Sequence, residues 1–553
     1  MNIAEQSVPA KPTNEDDDMG ELYSSQWMRF HLSAALSQNI PKQYKDVLRL
    51  TSLSEQRSWR EAMDEEYKSL MNRKVWTLVD LPKGREPIKG RWVYAVKSDG
   101  RKKARFVAKG FTQIFGIDYE ETFSPVTRFE TVRLLLALTA LEDWELEALD
   151  VKTAFLFGDL DEELYMVQPE GFVQKGQEKK VCRLRKAIYG LKQATLQWNK
   201  QLHKSLLELG FKRCYADPGV YVKFIGDKLI ILVFYVDDAL FMGNDRSLVL
   251  KHKKQFMDRW ESRDLGDAKE YLGMRITRDR KKRTLKLDQC SYAAKVVECF
   301  GQTDCKPVAT PLPSGYNPKP NEGESNSTLR SRYQSVIGSL LYIMLGTRPD
   351  LAYSVIKMSQ YSANPSEEHL QKALYIVRYL AHTTKLCLTY TVDGPINGFV
   401  AYSDTDWAGD IETSRSTTGY SIFLANGIVS WLSKRQKRVR LSSTEAEYCG
   451  MTECCRQIQW IRNLFEELSF PLSTIPLCVD NQGAMFLASN PTQEGRTKHV
   501  RIPEHYIRET VEEGEVELFY VPSQQQFADI FTKNLGKIAF ERGRKSLTLS
   551  SFS

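Results

Sequence analysis

Leu229-Ile230-Ile231-Leu232-Val233-Phe234-Tyr235-Val236-Asp237-Asp238-Ala239-Leu240-Phe241-Met242-Gly243 sets two carboxylates between two apolar runs. The first run, eight apolar residues rich in Ile, Val, Phe and Tyr, reads as a strand buried on both faces. Asp237-Asp238 ahead of a second strand-like stretch reads as the turn of a hairpin. Two adjacent anions beside buried apolar side chains repel each other, at a cost on the order of several kcal/mol unless a cation neutralises them. A divalent metal ion held at a strand end meets that need and points to phosphoryl transfer. Taken alone, Asp237-Asp238 also reads as a plain polar turn, since Asp is common in turns.

With 553 residues, the chain is long enough for several domains with ample cores. Its 42% hydrophobic and 27% charged residues are ordinary for a globular protein. No apolar run approaches the roughly 20 residues of a membrane span. Met1-Asn2-Ile3-Ala4-Glu5-Gln6 lacks the charged-then-apolar pattern of a secretory signal. The ten cysteines are scattered and form no C-x-x-C pair. That argues against a zinc finger or a disulfide framework and for a reducing, intracellular setting.

The net charge of +7 is modest, but it is unevenly spread. Glu15-Asp16-Asp17-Asp18 with Glu21 forms an acidic, disordered-looking lead-in. Positive charge gathers at Arg101-Lys102-Lys103 with Arg105 and Lys109, at Lys179 to Lys186, at Arg278 to Arg283, and at Lys434 to Arg440. One such cluster is commonly a solvated face, whereas four on separate segments fit an extended polyanion such as nucleic acid.

Between Ser54 and Trp76, apolar residues recur at helical spacing, and Thr131 to Leu141 reads as a buried helix. Trp144 to Leu149 alternates as a strand does, and Asp150 ends it. It can meet the Asp237-Asp238 turn only if the two strands are sheet neighbours, which spacing alone does not decide. Pro311 to Thr328, rich in Pro, Gly, Asn and Ser, reads as a linker. Helical stretches come next at Ser335 to Leu345 and Glu367 to Ala381, and a strand-rich unit starts near Gly398.

Lys103-Ala104-Arg105-Phe106-Val107-Ala108-Lys109-Gly110, Tyr119-Glu120-Glu121-Thr122-Phe123-Ser124-Pro125 and Tyr189-Gly190-Leu191-Lys192-Gln193 are followed by Asp264-Leu265-Gly266, Tyr271-Leu272-Gly273-Met274 and Gly338-Ser339-Leu340-Leu341-Tyr342. Thr347-Arg348-Pro349-Asp350, Leu441 to Tyr448 and Ala528-Asp529-Ile530-Phe531-Thr532-Lys533 complete the series. From about residue 50 to 540, the chain resembles the reverse transcriptase–ribonuclease H region of a copia-type LTR retrotransposon Pol polyprotein. The resemblance implies an α+β fold with right-hand fingers, palm and thumb over residues 46–310. A polar lead-in (1–45) would precede it. A linker and connection (311–395), a ribonuclease H-like domain with a mixed sheet (396–540) and a tail (541–553) would come after it.

The same resemblance assigns roles. Asp150, Asp237 and Asp238 would form the palm triad around two divalent ions, Mg²⁺ or Mn²⁺. Lys103 and Arg105 would contact the incoming triphosphate, and Arg suits a bidentate grip; a surface basic loop is the plainer reading of both. Phe155 would be a steric gate against the ribose 2′-hydroxyl, or else ordinary core. Tyr189, Gly190 and Lys192 would support template and nucleotide, and Tyr271 to Met274 would grip the primer end. Asp404, Glu447, Asp480 and Asp529 match the ribonuclease H acid set, again with two metal ions. Glu445 competes with Glu447, but Tyr448-Cys449-Gly450 resembles the residues after the family's catalytic glutamate. His499 and His505 receive no catalytic role, and Lys434 to Arg440 would hold the hybrid backbone by its shape.

Phe157, Thr195, Leu196, Arg501 and Pro503 depart from the family pattern. The loss of a Pro-Arg pair at Thr195-Leu196 would loosen the template-side loop. No aspartic-protease triplet, integrase zinc pattern or nucleocapsid knuckle occurs, so the chain is expected to be a processed polymerase product or a gene fragment. The partners implied are an RNA template, a DNA primer, an RNA–DNA hybrid, dNTPs and other retrotransposon proteins, with no membrane, in a cytoplasmic setting. A non-enzymatic, nucleic-acid-binding remnant is the competing reading.

Overall fold

A computed structural model describes residues 40–96, 100–395, 398–489 and 501–551, with the backbone alone for 501–505 and 551. Glu15 to Glu21, His499 and the side chain of His505 lie outside the described residues.

The apolar run folds into the expected hairpin. Lys228–Tyr235 pairs antiparallel with Asp238–Gly243, Tyr235 opposite Asp238, so Val236 and Asp237 are the two turn residues. Side chains alternate across the sheet. Leu229, Ile231, Val233 and Tyr235 join one core, while Ile230, Leu232 and Phe234 join a second. Helix Phe129–Leu141, buried from Thr131 to Ala140, belongs to the first core. Val249 and Phe256 of helix Arg246–Arg259 belong to the second. Burial on both faces is why the strand carries no polar alternation.

The hairpin is the centre of a six-stranded sheet in the order Ser262–Asp267, Glu145–Val151, Asp238–Gly243, Lys228–Tyr235, Val220–Ile225, Lys212–Arg213, all antiparallel. On its N-terminal side, the ribbon Gly90–Val96/Lys102–Ala108 packs with Trp59, Met63 and Leu70 of helix Leu53–Asn72. A three-stranded sheet, Trp76–Val79, Val181–Lys186 and Asp159–Met166, adjoins it. Beyond the central sheet, Glu270–Tyr271, Met274–Asp279, Thr284–Asp288, Leu386–Thr391 and Leu549–Ser551 form a five-stranded sheet in that order.

The last sheet runs Gly427–Arg435, Arg415–Leu424, Val400–Asp410, Ile475–Val479, Val516–Tyr520; its first three strands are antiparallel and the last two join parallel. Helix Ser443–Glu467 packs on it. A mixed sheet with this long helix, after a set of antiparallel sheets, is the α+β class the resemblance implied. Among the described residues no helix is long and apolar enough to cross a membrane.

Two expectations change. Residues 311–326 carry no regular element, yet they are not a free spacer. Leu312 is fully buried, Asn534 Nδ2 donates to the Pro313 carbonyl at 2.5 Å, and Tyr361 Oη donates to the Pro318 carbonyl at 2.9 Å. Proline and glycine only bar regular hydrogen bonding; they do not prevent packing. Nor are residues 541–551 a tail. Helix Lys537–Ser546 enters this stretch, and Leu549–Ser551 pairs with Leu386–Thr391. One apolar core runs from Leu134 and Ile231 through Leu340 and Ile376 to Ile422 and Ile458.

Candidate active sites

The strand register brings the first acid set together. Asp238 pairs directly with Asp150, at the ends of adjacent antiparallel strands. Directly opposed residues share a face, with Cβ atoms roughly 5 Å apart. Asp237 is the second turn residue, and its carbonyl accepts from the Val151 amide at 2.8 Å, which ties the turn to the Asp150 strand. Val236 has φ +57°, a left-handed conformation that is costly for a β-branched residue. Trp198 holds that turn, its Nε1 donating to the Val236 carbonyl at 2.7 Å.

Phe157 finds its reason here. Its ring packs against Trp198 (5.9 Å between centroids) and Trp260 (4.9 Å), with the Arg73 guanidinium 4.4 Å from its centroid. The departure from the family pattern is therefore part of the aromatic support beneath the acid turn. The Thr195-Leu196 departure leaves its loop well tied: Gln193 Nε2 donates to the Asp118 carbonyl at 2.9 Å. Gln113 Nε2 donates to Gln193 Oε1 at 3.0 Å, and the Lys192 amide donates to Gln113 Oε1 at 2.8 Å.

Alternation along Lys102–Ala108 places Lys103, Arg105 and Val107 on one face and the buried Ala104, Phe106 and Ala108 on the other. The Arg105 guanidinium sits 4.3 Å from the Tyr189 ring centroid, and Phe155 meets the same ring edge-on at 4.9 Å. Burial pushes the Asp237 carboxyl above its ordinary range, and Asp150 adds to this; Arg105 and Lys103 oppose it. The charges of the basic strand are therefore felt at the acid turn. Gly190 (φ +90°) lets the loop pack closely on the basic strand, since a Cβ there would lie 2.2 Å from the Ala108 carbonyl oxygen. Lys192 Nζ is engaged by Tyr119, donating to its hydroxyl at 2.7 Å. In the Tyr271–Met274 turn, Leu272 (φ +48°) and Gly273 (φ +71°) give the tight hairpin geometry expected there. Tyr342 Oη donates to the Leu272 carbonyl at 2.5 Å.

The second acid set gathers on the mixed sheet. Asp404 lies on the first strand of the unit, Glu447 on the long helix and Asp480 just beyond the parallel strand Ile475–Val479. One carboxylate oxygen from each lies within 4.8 Å of the others. Gly450 permits this, because a Cβ there would lie 2.4 Å from Thr405 Oγ1 and push the helix off the strand. Burial, then the charges of Asp404 and Asp480, pushes the Glu447 carboxyl up to about 9. Burial likewise raises Asp404, with Lys533 opposing and Asp529 adding. Three hard oxygen donors forced together in this way fit Mg²⁺ or Mn²⁺.

Asp529 is joined to this set through a cation: Lys533 Nζ lies 2.9 Å from Asp529 Oδ1 and 3.3 Å from Asp404 Oδ2. Glu445 is occupied elsewhere, accepting from the Leu441 amide at 2.9 Å and pairing with Arg440 at 3.2 Å. Sequence reasoning missed Lys533, Thr532 (whose hydroxyl donates to Asp404 Oδ2) and Ser523 (which donates to Asp480 Oδ2 at 2.6 Å). The four-residue step from Asp529 to Lys533 was the available signal.

The basic clusters are only partly outward. Arg278 and Arg280 both pair with Asp143, at 2.8 and 2.9 Å, and Arg280 also reaches Glu145 at 2.7 Å. Arg435 pairs with Asp410 at 3.3 Å, whereas Lys437 and Arg438 are exposed.

A family profile described as reverse transcriptase (RNA-dependent DNA polymerase) matches residues 73–314. The chain is 40% identical over 513 residues to the retrovirus-related Pol polyprotein from transposon TNT 1-94 of Nicotiana tabacum, covering 91% of this chain and 38% of that protein. To the corresponding polyprotein from transposon RE2 of Arabidopsis thaliana it is 39% identical, over 87% of this chain and 33% of that one. It is also 33% identical to the putative transposon Ty5-1 protein of Saccharomyces cerevisiae, over 56% of this chain and the whole of that protein. The chain thus spans 38% and 33% of the length of the two polyproteins. A reverse transcriptase profile across the carboxylate hairpin, relatives matching almost the whole chain and a transposon protein matched over its whole length place it in one family: it belongs to the copia-type retrotransposon Pol polyproteins, in their reverse transcriptase region.

Proposed function

We propose that the chain is an RNA-directed DNA polymerase with an attached ribonuclease H. It would extend a DNA primer on an RNA template with dNTPs and cut the RNA strand of the hybrid. The register that sets Asp238 against Asp150, with Asp237 in the tied turn, carries this reading. Asp150, Asp237 and Asp238 would hold two divalent ions in the first site, and Asp404, Glu447 and Asp480, joined by Asp529, would hold two in the second. Bound there, such ions supply Lewis acidity toward a primer hydroxyl or a water and neutralise charge on phosphate.

The remaining work falls to other residues. Arg105 offers the triphosphate a planar, bidentate grip, and its stacking on Tyr189 fixes the guanidinium. Phe155, held edge-on against the same ring, would stand where a ribose 2′-hydroxyl would have to fit. The Tyr271–Met274 turn would seat the primer end. Lys437 and Arg438 would meet the hybrid backbone by shape. A cytoplasmic setting beside other retrotransposon proteins goes with this reading.

Primer extension and hybrid cleavage, assayed on one preparation with Mg²⁺ or Mn²⁺, test it. Asp237→Asn is expected to abolish extension and spare cleavage, and Asp480→Asn to do the reverse. A wild-type protein that binds hybrid with steep salt dependence yet neither extends nor cuts under either metal would be the non-enzymatic remnant instead.

A further inference from the structure

We propose that Lys533 is a resident cation of the second site, which a divalent ion has to displace from Asp404 and Asp529. The inference rests on the nuclease reading of that site and adds a positioning residue to it. The Lys533 ammonium bridges Asp529 Oδ1 at 2.9 Å and Asp404 Oδ2 at 3.3 Å. Asp404 Oδ2 also accepts from Thr532 Oγ1. One oxygen of the innermost carboxylate is therefore already taken by two neighbouring residues just beyond the short turn Asp529–Phe531.

The Asp404 side chain is 2% exposed and that of Lys533 36%. The acid is fixed in the interior, while the lysine reaches it from the solvent side on a flexible stem. Lysine is a compact point charge that can swing away without leaving a buried guanidinium behind. A divalent ion shared by Asp404 and Asp529 would want the same oxygens, and two cations at one carboxylate pair repel each other strongly. Lys533 thus keeps the acids compensated before the metal arrives and raises the concentration of metal needed to replace it. Asp404, Glu447 and Asp480, within 4.8 Å of one another, supply the rest of the coordination.

Mn²⁺ binding followed by electron paramagnetic resonance at pH 8 tests this directly. Wild type, Lys533→Met, Lys533→Gln and Lys533→Arg are compared in full-length protein carrying Asp150→Asn and Asp237→Asn, which silence the first site. Lys533→Met and Lys533→Gln are expected to bind Mn²⁺ about tenfold tighter, while Lys533→Arg stays within about threefold of wild type. In EDTA the Met and Gln variants should melt lower and recover with Mn²⁺. Folded Met and Gln variants with unchanged or weaker Mn²⁺ binding would overturn the proposal. If Mn²⁺ binding survives Asp404→Asn with Asp480→Asn, the nuclease reading fails instead. If binding requires those acids but ignores residue 533, only this inference is lost.

Discussion

The Arg133 guanidinium lies over the Trp431 ring, 3.8 Å from its centroid. Arg133 belongs to the helix packed on the six-stranded sheet, and Trp431 to an edge strand of the mixed sheet. The same guanidinium donates to the Val429 carbonyl at 2.8 Å, to Leu345 at 2.5 Å and to Gly346 at 3.2 Å. Three parts of the chain thus meet at one arginine, 1% exposed. Burial pulls its basicity down, and Glu130, 3.4 Å away, opposes that.

Arg133→Ala leaves those carbonyls without donors and opens a cavity, at a cost of about 3–5 kcal/mol. Because the core is continuous across the junction, wild type should unfold in one calorimetric transition. Extension and cleavage should then decline together in the variant. Two resolved transitions in wild type would show the halves to be independent.

Trp198→Phe removes the donor to the Val236 carbonyl while keeping most of the aromatic packing. An unsatisfied buried carbonyl costs about 1–3 kcal/mol. The strained turn then has one tie fewer, so extension is expected to fall on the order of tenfold. Hybrid cleavage, measured on the same sample, should stay within about twofold of wild type, because Trp198 belongs to the other core. Equal losses in both assays would contradict this local role.

Asp410 supplies an acid-side signature. Burial raises its carboxyl, but the Lys357 ammonium at 3.0 Å and the Thr413 hydrogen bonds outweigh it and hold the group down at about 2. A carboxylate depressed in the folded state contributes stability above its unfolded value, near 3.8. That contribution is lost as pH falls from about 4 to 2. Asp410→Asn should flatten the urea-unfolding midpoint across that window. At pH 7 it should cost about 3 kcal/mol by stranding the buried Lys357.

Glu447 runs the other way. With its folded value near 9 against an ordinary 4.5, it contributes stability below pH 4.5 that is lost as pH rises toward 9. Glu447→Gln should therefore stabilise the metal-free protein at pH 8, on the order of 2 kcal/mol. It should also abolish the gain in melting temperature that Mg²⁺ gives wild type. A variant no more stable in EDTA than wild type would rule out a Glu447 carboxyl raised by burial and its acidic neighbours.

The hairpin and four of the helices were legible because their signals are local: an unbroken apolar run, two adjacent acids, helical spacing. Asp150 was legible as a strand end but not as a neighbour, since only the sheet order puts its strand beside Asp238–Gly243. Glu447 was separable from Glu445 only by resemblance. The fold adds the reason, in the close approach at Gly450. Lys533 went unread because a lysine near an acid is usually a surface pair; burial of Asp404 is what makes this one different. The Pro-rich stretch at 311 misled because composition reports backbone freedom, not what packs over it.

Leu549–Ser551 closes the edge of the sheet that begins at the Tyr271 turn. The strands proposed to seat the primer are therefore finished by a segment made after both acid sets. A nascent chain would carry both acid sets before that edge is capped, and pairings this distant in sequence form slowly. Synthesis order thus acts as a delay, in which the acids proposed for catalysis are made before the sheet proposed to grip the substrate is complete.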